Sequence, residues 1–465
     1  MTNIRELCVT KNKQIDMLNG PVGLTLKNMT VPVVFSMILL LSFGMVDTFF
    51  VGLLGTEQLA AISFTFPVTF TIISLNIGLG IGTSATVARL LGAKQPGNAQ
   101  MAGSGALILA LVLSAAVSIA GWVFVEPIFA ALGATNVQMP YIRDYMALWF
   151  VSSVFLAVPL VGNSILRANG DTKTPSMILA LAGFINALLD PALIFGLGPI
   201  PAMGIQGAAL ATIIAWIIGT VYVLVLLVKR HLVLPRFLRF SELSEAISDV
   251  LKIAIPAAGS NMLTPIANGV MTSIIAKYGS AAVASWGVGG RLESIAAILV
   301  LSLSMTLSPF ISQNYGANKI YRVKEAYIRV MRFVMIWQAV VYGLVFLGAP
   351  LIAMAFAQDR EVEKMIVLYL SIVPLSYGLQ GIVILTNSSL NAMHKPMGAL
   401  TLSVVRFFVF VVPISYLGSV FYGLIGIFWG GVVAYAGMGV ISYVWYRRLL
   451  NAHIPANDTV IQEGA

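Results

Sequence analysis

The chain has 465 residues, of which 58% are hydrophobic and only 10% are charged, whereas soluble proteins carry about 25% charged residues. Several apolar stretches reach the roughly 20 residues that cross a bilayer as a helix, so we predict an all-α integral membrane protein and exclude a soluble domain. The formal net charge of +9 does not indicate nucleic acid, because most basic residues fall on one side of the predicted membrane.

Twelve membrane-spanning helices are predicted, and they divide the chain into two lobes of six helices each. The N-lobe covers residues 1–228, beginning with a polar tail over 1–30. The C-lobe covers residues 250–465 and ends in a second tail, and a basic linker over 229–249 joins the two lobes. The predicted spans are 31–54, 62–86, 101–125, 144–166, 175–197, 204–228, 250–276, 281–309, 328–356, 363–389, 397–419 and 422–446.

The distribution of charge predicts the orientation of these helices. If the N-terminus is cytoplasmic, 21 of the 27 Lys and Arg residues lie on the cytoplasmic side. This is the positive-inside rule. We therefore expect both termini in the cytoplasm, a location in the cell inner membrane, no nucleic-acid partner and a monomer in the lipid bilayer.

Two carboxylates lie deep in the first and fifth predicted spans. Asp47 and Asp190 are each about 15 residues into a span that runs outward, or about 22–24 Å from the cytoplasmic face at 1.5 Å per residue. Asn186 lies one turn before Asp190 on the same helix face, and Thr212 reaches a similar depth in the sixth span. Because ionisable groups in hydrocarbon are costly, we interpret this layer as functional; a buried structural carboxylate is the alternative.

Two neighbouring buried acids suit the exchange of protons for cations. Burial and a like-charged neighbour both favour the protonated form of a carboxyl group. A protonated pair is neutral and releases a cation, whereas a deprotonated pair attracts one. Pro191 follows Asp190 and cannot donate a helical hydrogen bond, which gives a point where the helix could bend. Pro32 could bend the first helix, or it could simply occupy the first helical turn.

Three charged residues lie in the predicted spans of the C-lobe. Depth counting places Glu293 and Arg406 at one level, so we interpret Glu293 with Arg406 or Arg291 as a structural ion pair, with a second coupling site as the alternative. Methionine and aromatic side chains could line an adaptable substrate cavity, although lipid-facing filler is the simpler explanation for each residue. The cavity candidates are Met37, Phe43, Met45 and Met271.

The two halves repeat each other in sequence. At one constant offset in the numbering Pro32 matches Pro256, and the pair Gly92-Ala93 matches Gly316-Ala317. Each half begins on the same side, which is the parallel repeat of many secondary transporters. Asp47 and Asp190 align with Met271 and Val412, so the acids are confined to the N-lobe. No phosphate-binding loop, metal-ligand spacing or nucleophile–base–His set is present, and we expect a transporter without an organic cofactor, not an enzyme.

Several motifs together resemble the multidrug and toxic compound extrusion (MATE) family, in its DinF-like branch, over nearly the whole chain. They are Met45-Val46-Asp47-Thr48, Ala88-Arg89-Leu90-Leu91-Gly92-Ala93-Lys94, Leu166-Arg167-Ala168-Asn169-Gly170-Asp171, Asn186-x-x-x-Asp190-Pro191, Gly207-Ala208-Ala209-x-Ala211-Thr212 and Gln313-Asn314-Tyr315-Gly316-Ala317.

The resemblance implies twelve helices in two lobes that export drugs and organic cations in exchange for H⁺ or Na⁺. It implies functional roles for Asp47, Asn163, Asn186, Asp190 and Thr212, and a bend at Pro32. NorM-like members carry acids in helices 7 and 10, whereas Thr264 and Gln380 stand near those positions here. This difference favours H⁺ as the coupling ion.

The predicted function is therefore proton-coupled export of lipophilic or organic cations by alternating access. Two alternatives remain. One is Na⁺-coupled drug antiport, with Na⁺ bound at Asp47 and Asp190, and the other is flipping of a lipid or lipid-linked sugar.

Overall fold

The computed structural model describes residues 15–199, 201–236, 239–357 and 359–453, and these residues form helices without a β-strand. Residues 1–14 of the predicted N-terminal tail and 454–465 of the C-terminal tail lie outside the described part. The N-lobe is built from α1 (Val22–Gly52), α2 (Thr56–Gly92), α3 (Pro96–Val123), α4 (Val125–Ala131), α5 (Met139–Ala168), α6 (Lys173–Ile194) and α7 (Ile205–Lys229).

The C-lobe follows the same plan with two irregular helices. A 3₁₀ segment joins α11 to α12, and a π-helical segment joins α13 to α14. The elements are α8 (Phe240–Ile275), a 3₁₀ turn (Ala276–Tyr278), α9 (Ser280–Gly316), α10 (Ile320–Phe356), α11 (Arg360–Ile372), the 3₁₀ segment (Val373–Ser376), α12 (Tyr377–Ala392), α13 (Pro396–Val404), the π segment (Val405–Val411) and α14 (Val412–Asn451).

The predicted all-α membrane fold is confirmed. Eleven continuous helical segments of the described chain are long and apolar enough to cross a bilayer, and the last of them, Pro396–Asn451, has 56 residues. That length is about 84 Å, or more than two bilayer crossings. The segment reverses at Gly423, where φ is 61°, and so provides the two final spans of twelve.

Helix ends differ from the predicted spans. The helix α1 begins at Val22 rather than at residue 31, and α2 extends to Gly92 rather than to residue 86. Hydropathy marks only the part of a helix that lies in hydrocarbon, whereas polar residues continue the helix into the interface. The short helix α4 was not predicted, because seven residues are too few to span a membrane.

The backbone repeats with the sequence. Lys94 and Asn318 are related by the same offset that pairs Pro32 with Pro256, and both follow a helix with positive φ, 59° and 57° respectively. Gly204 and Gly423 also match, with φ of 56° and 61°, at the bends that precede the last helix of each lobe. Because L-residues rarely adopt positive φ, its recurrence at matching positions shows that the two halves share one backbone plan.

The helices α1 and α8 each divide their packing between the two lobes. Leu26 and Met29 of α1 lie in an apolar core with C-lobe residues such as Leu307, whereas Val51 packs with Ile194 and Ala208 of the N-lobe. The helix α8 matches α1 in the repeat, and it packs with the N-lobe in its first half and with the C-lobe in its second half. Val250 and Ala254 join an N-lobe core, and Ile274 and Ile275 join a C-lobe core. The lobes therefore exchange the first halves of their first helices.

One end of the molecule, here called the basic face, carries the start of α1, the start of α6 with Lys173, and the loops that contain Lys94, Arg230 and Lys319. This is the face predicted to be cytoplasmic. Residues 15–21, here called the N-terminal strap, cross this face. The Met17 carbonyl accepts hydrogen bonds from Asn314 at 3.0 Å and from Arg322 at 3.2 Å. The backbone N–H of Ile15 donates to Gly170 of the N-lobe at 3.4 Å, so the strap bridges the lobes.

Further hydrogen bonds join the lobes toward this face. Thr30 and Thr306 share a buried hydrogen bond of 2.8 Å, and Gln313 donates to the Ala168 carbonyl at 2.8 Å. Gly78 and Gly82 of α2 lie directly against α8, at a close approach of the two helices that small residues allow. The lobes are thus closed together at the basic face.

Candidate functional site

The predicted polar layer of the N-lobe is centred on Asp190, which is fully buried. The Asn186 side-chain amide donates to Asp190 Oδ1 at 3.4 Å and to Thr212 Oγ1 at 3.3 Å. Thr212 donates in turn to the Ala208 carbonyl at 3.1 Å. The two contacts of Asn186 are long for N–H···O hydrogen bonds and are correspondingly weak. Asp190 Oδ2 is buried and has no hydrogen-bond partner in the described part of the chain, so the carboxyl group has spare capacity for a proton or a cation.

Asp47 completes the layer from α1. The helices α1 and α6 are packed side by side, as the common depth of the two acids required, and the Asp47 and Asp190 carboxyl groups are close enough to interact electrostatically. Asp47 is half-buried. Ion pairs of the described residues include neither acid. Neither acid therefore has a basic partner within ion-pair distance among the described residues.

Tyr145 of α5 was missed by the sequence analysis. Its side chain is 8% exposed, and its hydroxyl interacts electrostatically with both Asp47 and Asp190. A tyrosine near the outer end of an apolar span has no periodic or motif signal that separates it from interfacial tyrosines. Only its proximity to the two acids in the folded protein identifies it.

Asn163 lies apart from this layer. It is 1% exposed, in the last two turns of α5 before the basic face, and no hydrogen bond connects it to Asn186, Asp190 or Thr212. Both polar atoms of its side chain are buried, and neither has a hydrogen-bond partner among the residues that the structure describes. The structure thus brings four of the five predicted coupling residues together and places the fifth nearer the basic face.

Both candidate bending prolines lie inside helices. Pro32 is ten residues into α1, which begins at Val22. The alternative that Pro32 occupies the first helical turn is therefore wrong. Pro191 lies three residues before the end of α6, so the missing hydrogen bond to Ala187 falls in the last turn, beside Asp190.

The four cavity candidates occupy different environments. Met45 is 68% exposed and Met37 is half-buried. The Phe43 ring instead packs on the backbone of Gly183 in α6. Met271 is 4% exposed in a C-lobe apolar core, a position that does not fit a cavity-lining role, because its neighbours in that core are apolar side chains of the same lobe.

The charged residues of the C-lobe spans form a separate polar cluster. Glu293 accepts a hydrogen bond of 2.8 Å from Gln380, and no Arg nitrogen lies within 4.0 Å of its carboxylate among the described residues. Arg406 is 5% exposed and stacks over Phe407, with its guanidinium carbon 3.9 Å from the ring centre. Arg291 is exposed. The direct ion pair predicted for Glu293 is thus replaced by an amide hydrogen bond, with Arg406 near enough to act only electrostatically.

Described residues include no group of three His, Cys, Asp or Glu side chains that could hold a metal ion. The oxygen atoms of Asp47, Asp190, Asn186 and Thr212 are nevertheless of the hard type that Na⁺ accepts. Chemically, the layer can take up a proton, or a cation in its place.

Comparison with known proteins identifies the class. The MatE family model matches residues 32–192 and 256–417, one match in each half of the chain. The chain belongs to the MATE family of membrane transporters.

Among its relatives, an FAD transporter from Shewanella oneidensis is 40% identical over 435 residues, covering 93% of this chain and 96% of that protein. The multidrug export protein MepA from Staphylococcus aureus is 27% identical over 419 residues, covering 89% and 91%. The bent form of the MATE transporter VcmN from Vibrio cholerae superposes with a TM-score of 0.89 at 32% identity, covering 93% of this chain and 98% of that structure.

Proposed function

We propose that this protein is a secondary active exporter that exchanges protons for an organic cation, with Asp47 and Asp190 as the coupling pair. The observation that carries the proposal is the pair itself: two neighbouring carboxyl groups that have no basic partner among the described residues, one of them with a buried oxygen that accepts no hydrogen bond from those residues. A net negative site of this kind attracts cations when it is deprotonated, and it releases them when it is protonated. Family membership and the relationship to a multidrug exporter support the assignment.

Coupling follows from competition for one site. Substrate and proton exclude each other at the layer, so each crossing of the membrane carries one or the other. Outward movement of substrate is therefore exchanged for inward movement of protons. A pH gradient of one unit then supplies about 1.4 kcal/mol per proton. Alternating access opens the layer first to one side of the membrane and then to the other. The basic face lies on the cytoplasmic side of the inner membrane. Asn186 donates to both Asp190 and Thr212, and Tyr145 interacts electrostatically with both acids.

A second substrate class is favoured by one specific observation. The relative that is 40% identical is an FAD transporter. A flavin dinucleotide is anionic, so it would not pair with the carboxylates. In that case the acids would serve coupling alone, and the substrate would contact other residues of the cleft.

Reconstituted transport tests both parts of the proposal. Liposomes loaded with ethidium, or separately with FAD, receive an acidic external buffer without sodium, and efflux is followed by fluorescence. We expect that the wild-type protein exports ethidium and that Asp47→Asn and Asp190→Asn each slow export at least tenfold. Asp144→Asn, which alters an exposed acid beside Tyr145, is the matched control and should transport normally.

Each result has a distinct meaning. If both variants transport like the control, the coupling site is wrong. If the wild type exports only when sodium is added, the ion is Na⁺ rather than H⁺. Export of FAD but not ethidium, still lost in the two variants, would retain the coupling pair and change the substrate class.

A further inference from the structure

Two glycines related by the internal repeat end α2 and α9 at the basic face. Gly92 is the last residue of α2, and its repeat partner Gly316 is the last residue of α9. Each lies against the backbone of the other lobe. A Cβ atom added to Gly92 would overlap the Gln313 carbonyl, and one added to Gly316 would overlap the Arg89 carbonyl.

The contact is reciprocal as well as close. Gln313 and Arg89 are themselves partners in the repeat, and each lies three residues before the glycine of its own helix. Both added Cβ atoms would lie less than 3.0 Å from backbone atoms, a separation that real Cβ atoms essentially never show. Backbone at a helix end cannot move aside as the tip of a flexible side chain can, so only separation of the helices would relieve the overlap.

Other contacts close around this point. Gln313 also donates to the Ala168 carbonyl at 2.8 Å, and the His394 ring approaches the Ala85 carbonyl at 3.3 Å. The N-terminal strap covers the same face. The two glycines thus lie among several contacts between the lobes, all of which must separate if the basic face opens.

We infer that Gly92 and Gly316 form the closing point of a gate at the basic face, and that their missing side chains set the conformational equilibrium of the transporter. The inference rests on the alternating access of the proposed function. A methyl group at either position is excluded when the gate is closed and accommodated when the two helix ends separate. Alanine at either glycine therefore favours the state that is open at the basic face.

Distances between spin labels test this directly. Cys8, the only cysteine, is replaced by Ser, and labels are attached at Asn98→Cys and Tyr321→Cys, which are exposed residues at the starts of α3 and α10. We expect Gly92→Ala and Gly316→Ala to shift the label distances to longer values, each in the same direction. Gly343→Ala is the matched control, because a Cβ there meets no atom within 4 Å.

Unchanged distances in both folded alanine variants would overturn the inference. If neither variant folds, the labelled protein with native glycines is measured at several pH values in nanodiscs. Two exchanging distances would then support the gate, and one invariant short distance would overturn it. Because no substrate or ion gradient is used, failure here leaves the proposed coupling pair untouched, and failure of the transport assay leaves the gate untouched.

Discussion

Asn186 is the residue on which the coupling layer depends most, because a single amide group donates to both Asp190 and Thr212. Asp190 has no other hydrogen-bond donor among the described residues. Thr212, in contrast, keeps a bond to its own helix through the Ala208 carbonyl. Loss of the Asn186 amide therefore leaves Asp190 without a side-chain donor among the described residues, whereas loss of the Thr212 hydroxyl does not.

We expect Asn186→Leu to slow coupled export about tenfold, since an unsatisfied buried group costs about 1–3 kcal/mol. Thr212→Val should slow it less than about threefold, because it leaves the Asn186–Asp190 contact in place. Initial rates of efflux in proteoliposomes check both values. Equal effects of the two changes would contradict the central position of Asn186.

At the residue scale, the contacts of the site that could be predicted from the sequence are those set by simple helix geometry. Asn186 and Asp190 are four apart on one helix, so their contact follows from helical periodicity. The approach of Asp47 and Thr212 required only equal depth in adjacent helices. Tyr145 could not be found in this way, since its role depends on which face α5 turns to the acids.

At the scale of elements, the N-terminal strap is held by its backbone carbonyls and by the Met17 side chain, which is buried in the apolar core of the C-lobe. Arg322 is 7% exposed and donates to the carbonyls of Met17 and Gly20, at 3.2 and 2.7 Å, and to Asn314 at 3.0 Å. Because carbonyl groups are the acceptors, hydropathy and motif analysis of residues 15–21 gave no sign of the strap.

Arg322→Ala should destabilise the folded protein by about 2 kcal/mol or more, because several buried acceptors lose a charged donor. Arg329→Ala on the same helix removes an exposed pair with Glu325 and should change stability by less than about 0.5 kcal/mol. Denaturant unfolding of both variants checks this difference. Equal stability of the two would show that the strap is not held by Arg322.

At the scale of the whole molecule, the exchange of helix halves links the coupling layer to the closed face. The first half of α1 packs with the C-lobe, and its second half carries Asp47 in the N-lobe. Pro32 lies between the two halves. A change in the charge of Asp47 therefore acts on a helix that is anchored in both lobes, which offers a route from protonation to movement of the lobes.

The repeat and the number of spans followed from the sequence, because the constant offset between the halves and the apolar runs can be read directly along the chain. The exchange of the first halves of α1 and α8 between the lobes could not be predicted. Hydropathy assigns a whole helix to one lobe and carries no information on which core each half joins. The irregular backbone at Val405–Val411 was also not predicted, because a π segment and an α-helix have similar apolar patterns.

Proton movement driven by substrate is the most direct test of the coupling pair. A pH-sensitive dye is enclosed in liposomes that contain the protein, and a gradient of ethidium is imposed without a pH gradient or sodium. We expect the wild-type protein to move protons against the ethidium flux and Asp190→Asn to carry no proton flux above that of empty liposomes. Ethidium movement without proton movement in the wild type, or proton movement in Asp190→Asn equal to that in the wild type, would contradict coupling at this site.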